Sequence, residues 1–167
     1  AYDQVLADFL HERAQWPVEP IDSDADAIYA ETVTIDLSSL EPMVAFPDKP
    51  ANSTPISQVH AIIARSQREP TPDFCTVDDD TITDAFLGSC TNARYDDLVS
   101  GAAVLRGHKV HPDVNLIVIP ASRKVYERAM DEGLLQVFIK AGANVESSNC
   151  GPCFGSHMGV MSRTSKM

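Results

Sequence analysis

Apolar residues at Val5, Leu6, Phe9, Leu10 and Trp16 fall near the spacing of one helix face, and Pro17 closes the run. That spacing predicts a helix of about three turns over 2–16. Residues 17–30 hold two prolines and four acidic side chains and read as a linker. Thr32-Val33-Thr34-Ile35-Asp36-Leu37 alternates cleanly, the pattern of a strand with one wet face. From Ser38 to Pro55, Pro42, Pro47, Pro50 and Pro55 break any periodicity, which predicts a long extended loop. Val59 to Ala64 is short and apolar and fits either a helix or a strand. Residues 66–81, with Pro70, Pro72 and Asp78-Asp79-Asp80, read as a solvated surface loop.

The second half is more regular. Ile82 to Leu87 reads as a strand that runs into Gly88-Ser89-Cys90-Thr91-Asn92. Leu98, Val99, Ala102, Ala103 and Leu105 predict a helix over 96–106, closed by Gly107. Val114 to Ile119 is β-branched and predicts a buried strand ended by Pro120. Ser122 can cap a helix through Met130 with Gly133 as its stop, and Leu134 to Ala141 predicts a short helix ending at Gly142. Val145 sits in a last short strand. Strand, helix, strand, helix, short helix, strand is the order of an α/β fold: a doubly wound, mostly parallel sheet flanked by helices. The expected organisation is an N-terminal helix and linker over 1–30 and one α/β domain over 31–167. Ligands of such sheets bind beyond the carboxyl ends of the strands. Cys90 follows one such end, and Cys150 and Cys153 follow another. Parallel strands would therefore bring all three thiols to one edge.

Composition is that of an ordinary folded protein, with 44% apolar, 22% charged and 7% aromatic residues, so the core is mainly aliphatic. No apolar stretch approaches the roughly 18 residues that span a bilayer, and Ala1-Tyr2-Asp3-Gln4 lacks the basic and apolar regions of a signal peptide. The expectation is the cytoplasm, or an organellar matrix reached after processing, with no membrane partner. A net charge of −11 argues against a nucleic-acid partner. The charge is uneven. Residues 1–84 hold 17 acidic and 4 basic side chains, and residues 85–167 hold 7 acidic and 9 basic. A small anion is better placed in the second half.

Four cysteines, Cys75, Cys90, Cys150 and Cys153, do not make a disulfide framework in a chain of 167 residues without a secretory segment. One reading makes them core residues, which suits Cys75 best. A second takes Cys150-Gly151-Pro152-Cys153 as a thiol–disulfide pair. It has the sequence of a thioredoxin site, but only 14 residues follow Cys153 and no Trp precedes Cys150. A third makes Cys90, Cys150 and Cys153 metal ligands. Zinc in a structural site needs four closed ligands, so Cys75 would have to join. An iron–sulfur cluster on three cysteines leaves one iron without a protein ligand, an open Lewis-acid position. His108 and His111, beside Lys109, read as surface residues, and His157 lies near the cysteine pair.

At these residues the chain resembles the aconitase superfamily of iron–sulfur hydro-lyases. Phe86-Leu87-Gly88-Ser89-Cys90-Thr91-Asn92 is similar to the family's first cysteine motif, and Asn149-Cys150-Gly151-Pro152-Cys153-Phe154-Gly155 to its second. Leu40 to Ala45, Val118 to Ser122 and Gly133 to Gly142 also resemble the family, in its order. The tail His157-Met158-Gly159-Val160 is closer to the 3-isopropylmalate dehydratase and homoaconitase large subunits than to mitochondrial-type aconitase. The resemblance implies a [4Fe–4S] cluster on Cys90, Cys150 and Cys153, with Thr91 and Asn92 lining it. It also implies dehydration and rehydration of a hydroxy di- or tricarboxylate. The matched stretch corresponds to the family's third domain, and the segment that follows the second cysteine motif there is not found here. Arg163 receives no role, and Cys75 has no counterpart. The expectation is a fragment or split subunit, inactive alone, whose partners are the remaining domains or a small subunit of the dehydratase.

Overall fold

In the computed structural model of the chain, which describes residues 2–46, 50–66 and 81–155, the β-branched run at 114–119 supplies a central strand. Two compact units are formed, Ala1–Pro42 and Met43–Met167.

The second unit holds a parallel sheet of three strands, β3 (Asp84–Leu87), β4 (Asn115–Val118) and β5 (Asn144–Val145), in that spatial order. Register is set by Asp84↔Asn115 through Leu87↔Val118 and by Ile117↔Asn144 and Val118↔Val145. At the amino ends a ladder of polar side chains crosses the sheet. The Asn144 amide donates to Asn115 Oδ1 at 2.8 Å, and the Asn115 amide donates to Asp84 Oδ1 at 3.4 Å. Helices α3 (Tyr95–Leu105), α4 (Arg123–Asp131) and α5 (Leu134–Ala141) pack on one another, and with Leu87, Leu116, Val118 and Val145 they enclose the core around Leu98 and Phe138. Ile117 and Ile119, which alternate with Val118, are 1% exposed, so both faces of β4 are covered. Burial on two faces is why this strand reads as an unbroken apolar run. The α/β class, parallel order and flanking helices expected from the sequence are those observed.

Local chemistry explains the helix ends. Ser122 accepts a hydrogen bond from Val125 N at 3.3 Å and caps α4. The Arg94 N–H donates to Asp97 at 3.0 Å at the start of α3. Gly133 (φ 73°) and Gly142 (φ 101°) bracket α5 in left-handed conformations that side chains resist.

Several expectations are corrected. The loop expected over 38–55 contains a 3-10 turn (Leu37–Ser39) and an antiparallel hairpin of β1 (Met43–Ala45) and β2 (Ser53–Pro55). Proline tolerates an edge position there, since an edge strand need not donate on its outer side. The ambiguous 59–64 stretch is a helix, α2 (Val59–Ser66). In the Ala1–Pro42 unit, the first helix is α1 (Gln4–His11), shorter than predicted. Asp3 caps it by accepting from Leu6 N at 2.8 Å, and Trp16 beyond it is 71% exposed, with little packing to extend the helix. Residues 32–37 form no strand, because alternation chooses a face but no partner strand is paired to it among the described residues. The loop expected at 66–81 lies outside the described residues from 67 to 80, with Cys75 and Asp78-Asp79-Asp80. So do His157 and Arg163.

Candidate functional site

Parallel pairing through β4 puts the carboxyl ends of β3 and β5 at the same edge of the sheet. Cys90 stands three residues past Leu87, and Cys150 five past Val145. The strands that carry these arms are two spacings apart, about 10 Å. All three thiols are free and exposed. Cys150 and Cys153 share a single 3-10 turn, Gly151–Phe154, in which Cys153 N donates to Cys150 O at 3.1 Å and Gly155 follows in a left-handed conformation. A thioredoxin pair instead opens an α-helix. Among the described residues, no three His, Cys, Asp or Glu side chains are gathered closely enough to hold a metal ion. Topology brings the two arms to one edge, and it does not close them into a finished ligand set.

The Cys90 arm is anchored at its far end. Ala93 is fully buried with φ 52°, an uncommon left-handed alanine, and its carbonyl accepts from Ala121 N at 3.0 Å. That bond ties the loop after β3 to the loop after β4. Tyr95, the first residue of α3, donates its hydroxyl to Glu132, and Arg128 Nε donates to the same carboxylate at 2.8 Å. The Arg128 guanidinium lies 3.4 Å from the Tyr95 ring centroid. The Tyr95 hydroxyl bond, and then Arg128, hold the Glu132 carboxyl below its ordinary value, and the same bond to Glu132 raises the Tyr95 hydroxyl. α3 is thereby fastened to the end of α4 just past the cysteine loop.

At the second arm, Ser148 Oγ and Asn149 Oδ1 are buried and have no hydrogen-bond partner among the described residues. The Asn149 amide nitrogen donates to Ser147 O at 2.6 Å. The second cysteine motif includes Asn149 without giving it a role, and it leaves out Ser148. The signal was two short polar side chains directly before Cys150. Two clefts flank the edge. One of about 430 Å³ is lined by Gly88, Asn92, Asp97 and Ser100 among others, and one of about 490 Å³ by Arg123, Tyr126, Ser147 and Ser148 among others. A larger hollow of about 590 Å³ lies within the Ala1–Pro42 unit and contains none of the predicted site residues. His108 and His111 are exposed, as expected. No helix among the described residues is long and apolar enough to cross a membrane.

Residues 1–166 match the aconitase family (aconitate hydratase). The chain is 42% identical over 161 residues to the 3-isopropylmalate dehydratase large subunit of Hydrogenobaculum sp. (strain Y04AAS1), covering 96% of this chain and 34% of that protein. It is 43% identical over 159 residues to 3-isopropylmalate dehydratase large subunit 1 of Methanopyrus kandleri, covering 95% and 34%. With the large subunit of Halothermothrix orenii the identity is 40% over 166 residues, covering 99% and 35%. The chain therefore spans about a third of the length of the curated relatives it matches.

Proposed function

The chain belongs to the aconitase family, and from that premise we propose that it is the cluster-bearing part of a [4Fe–4S] hydro-lyase of the 3-isopropylmalate dehydratase type. The observation that carries the reading is the pair of cysteine arms at one edge of the parallel sheet in a chain that matches this family almost end to end. The donor set fits the group. Thiolates are the ligands that iron–sulfur clusters take, and these three thiols are exposed and free of disulfides. The Ser148 and Asn149 oxygens beside Cys150, unpartnered among the described residues, leave polar capacity for whatever fills that edge. Binding of the group would have to draw the two arms together, since among the described residues they share an edge without closing on each other.

Cys90, Cys150 and Cys153 would hold the cluster, and Thr91 and Asn92 would line it from the first arm. When bound, the cluster supplies one iron without a protein ligand, a Lewis acid for a substrate hydroxyl and carboxylate. The anchored Ala93 and Tyr95 fix the exit of the first arm, so Cys90 is carried on a loop fastened at its far end. The carboxylate-binding arginines and the base come from the rest of the subunit, and a small subunit completes the enzyme. The substrate is a hydroxy di- or tricarboxylate. The names of the relatives favour 3-isopropylmalate over the aconitase and homoaconitase substrates; leucine biosynthesis in the cytoplasm is the setting proposed with it.

Anaerobic reconstitution with iron and sulfide tests the proposal. The expected result is acid-labile sulfide and iron in equal amounts with a visible charge-transfer absorbance, lost in Cys90→Ser, Cys150→Ser and Cys153→Ser alike. Absence of labile sulfide, or uptake indifferent to Cys90→Ser, refutes it. One zinc per chain held without sulfide would make the domain a structural metal module instead.

A further inference from the structure

Residues 32–37 have the period-two alternation of a strand, with Thr32, Thr34 and Asp36 between Val33, Ile35 and Leu37. The backbone at Asp36 is extended (φ −82°, ψ 102°). Yet the segment joins no sheet among the described residues, and Val33, Ile35 and Leu37 are 72%, 65% and 75% exposed. An exposed segment with the alternation of a strand and no neighbour is a template for main-chain pairing. None of the described residues of the Ala1–Pro42 unit is buried. This apolar row is therefore built to be covered.

Two observations choose what covers it. Residues 1–42 hold ten acidic side chains and one basic, a net charge of −9, so two copies pairing through this segment would bring two strongly negative surfaces together. Each relative, in contrast, carries about two-thirds of its length outside the stretch that this chain matches. We propose that residues 32–36, up to the 3-10 turn that Leu37 opens, form an added β-strand that docks on a sheet edge supplied by the remainder of the large subunit. That edge presents an apolar row to Val33, Ile35 and Leu37 and a basic rim to the acidic unit. Main-chain hydrogen bonds give the attachment its strength, and the alternate side chains set its register. The inference rests on family membership alone. It needs no cluster, so it stands or fails separately from the hydro-lyase reading.

Amide hydrogen exchange tests it on a full-length chimera in which this chain replaces the matched third of the Methanopyrus kandleri large subunit. One alternate set of amides within 32–36, either 33 and 35 or 32, 34 and 36, should exchange at least about tenfold more slowly in the chimera than in the 167-residue chain, the loss of access expected of ladder bonds on one side of an added strand. Ile35→Lys, which puts a charge in the apolar row, should restore fast exchange. Thr34→Lys, on the wet face, should leave it slow. Equal rates in chimera and isolated chain overturn the proposal, as does an equal effect of the two lysines. Protection that appears in the isolated chain together with a dimeric mass by light scattering overturns it in favour of a second copy. If the chimera does not fold, the same measurement on the natural Methanopyrus kandleri subunit decides: fast exchange in the aligned segment refutes the docking.

Discussion

Gly88, two residues before Cys90, has no room for a side chain. A Cβ there would stand 2.4 Å from Phe86 Cζ, 2.6 Å from Phe86 Cε2 and 3.2 Å from the carbonyl oxygen of Ile119. Carbon atoms pack best at roughly 3.5–4.0 Å, so Gly88→Ala forces the ring back by about 1 Å. Phe86 is only partly buried and its ring can turn. The Ile119 carbonyl has less freedom, because Ile119 N donates to Leu87 O at 2.9 Å and the residue is 1% exposed. Overpacking of this kind costs about 1–3 kcal/mol. We expect about 2 kcal/mol, a fall in Tm of roughly 6–10 °C for a unit the size of Met43–Met167. Urea unfolding followed by far-UV circular dichroism is the assay, since the one tryptophan, Trp16, lies in the other unit. Phe86→Leu removes the two ring contacts and leaves the Ile119 carbonyl, so in that background the alanine should cost about 1 kcal/mol less, the coupling the ring contributes. Strict additivity of the two substitutions, or a neutral Gly88→Ala, would refute the packing argument.

Phe138→Ala empties the centre of the core, where the ring is fully buried, and should cost about 3–5 kcal/mol by urea unfolding; a loss under about 1 kcal/mol would show that the helices do not close on it. Glu132→Gln should change the acid limb of stability. The native carboxyl lies below its ordinary value of 4.5, so it stabilises the fold above that pH and the contribution fades as pH falls through the native value. The variant should therefore be less stable than the parent at pH 7 and approach it at pH 3, and an equal gap at both would refute the role of the Tyr95–Glu132–Arg128 cluster.

What the sequence made legible was local chemistry. Ser122, Gly107, Gly133 and Gly142 mark helix ends because a hydroxyl cap or a left-handed backbone is decided within a few residues. The run at 114–119 was legible because a strand covered on both faces has no polar positions to confuse it. Thr32–Leu37 misled for a related reason: alternation is a property of one segment, whereas a strand is a relation between two. The hairpin of β1 and β2 was hidden by its prolines, and the Asp84–Asn115–Asn144 ladder by the distance between its members along the chain. At the site, the common edge of Cys90 and Cys150 followed from the parallel order of strands. The buried Ser148 and Asn149 oxygens did not, since a polar side chain in a loop is satisfied or orphaned only by what folds around it.

β3 and β5 are not paired with each other; each is registered on β4. This fixes a schedule for biosynthesis. When the first cysteine arm leaves the ribosome it has no neighbour, and it acquires one only after Asn115–Val118 has emerged. The second arm follows later still, behind α4 and α5. Such long-range closures come late in folding. The same pairing also makes β4 the shared hinge pin of the assembly, so a lesion there would scatter both arms at once while touching neither.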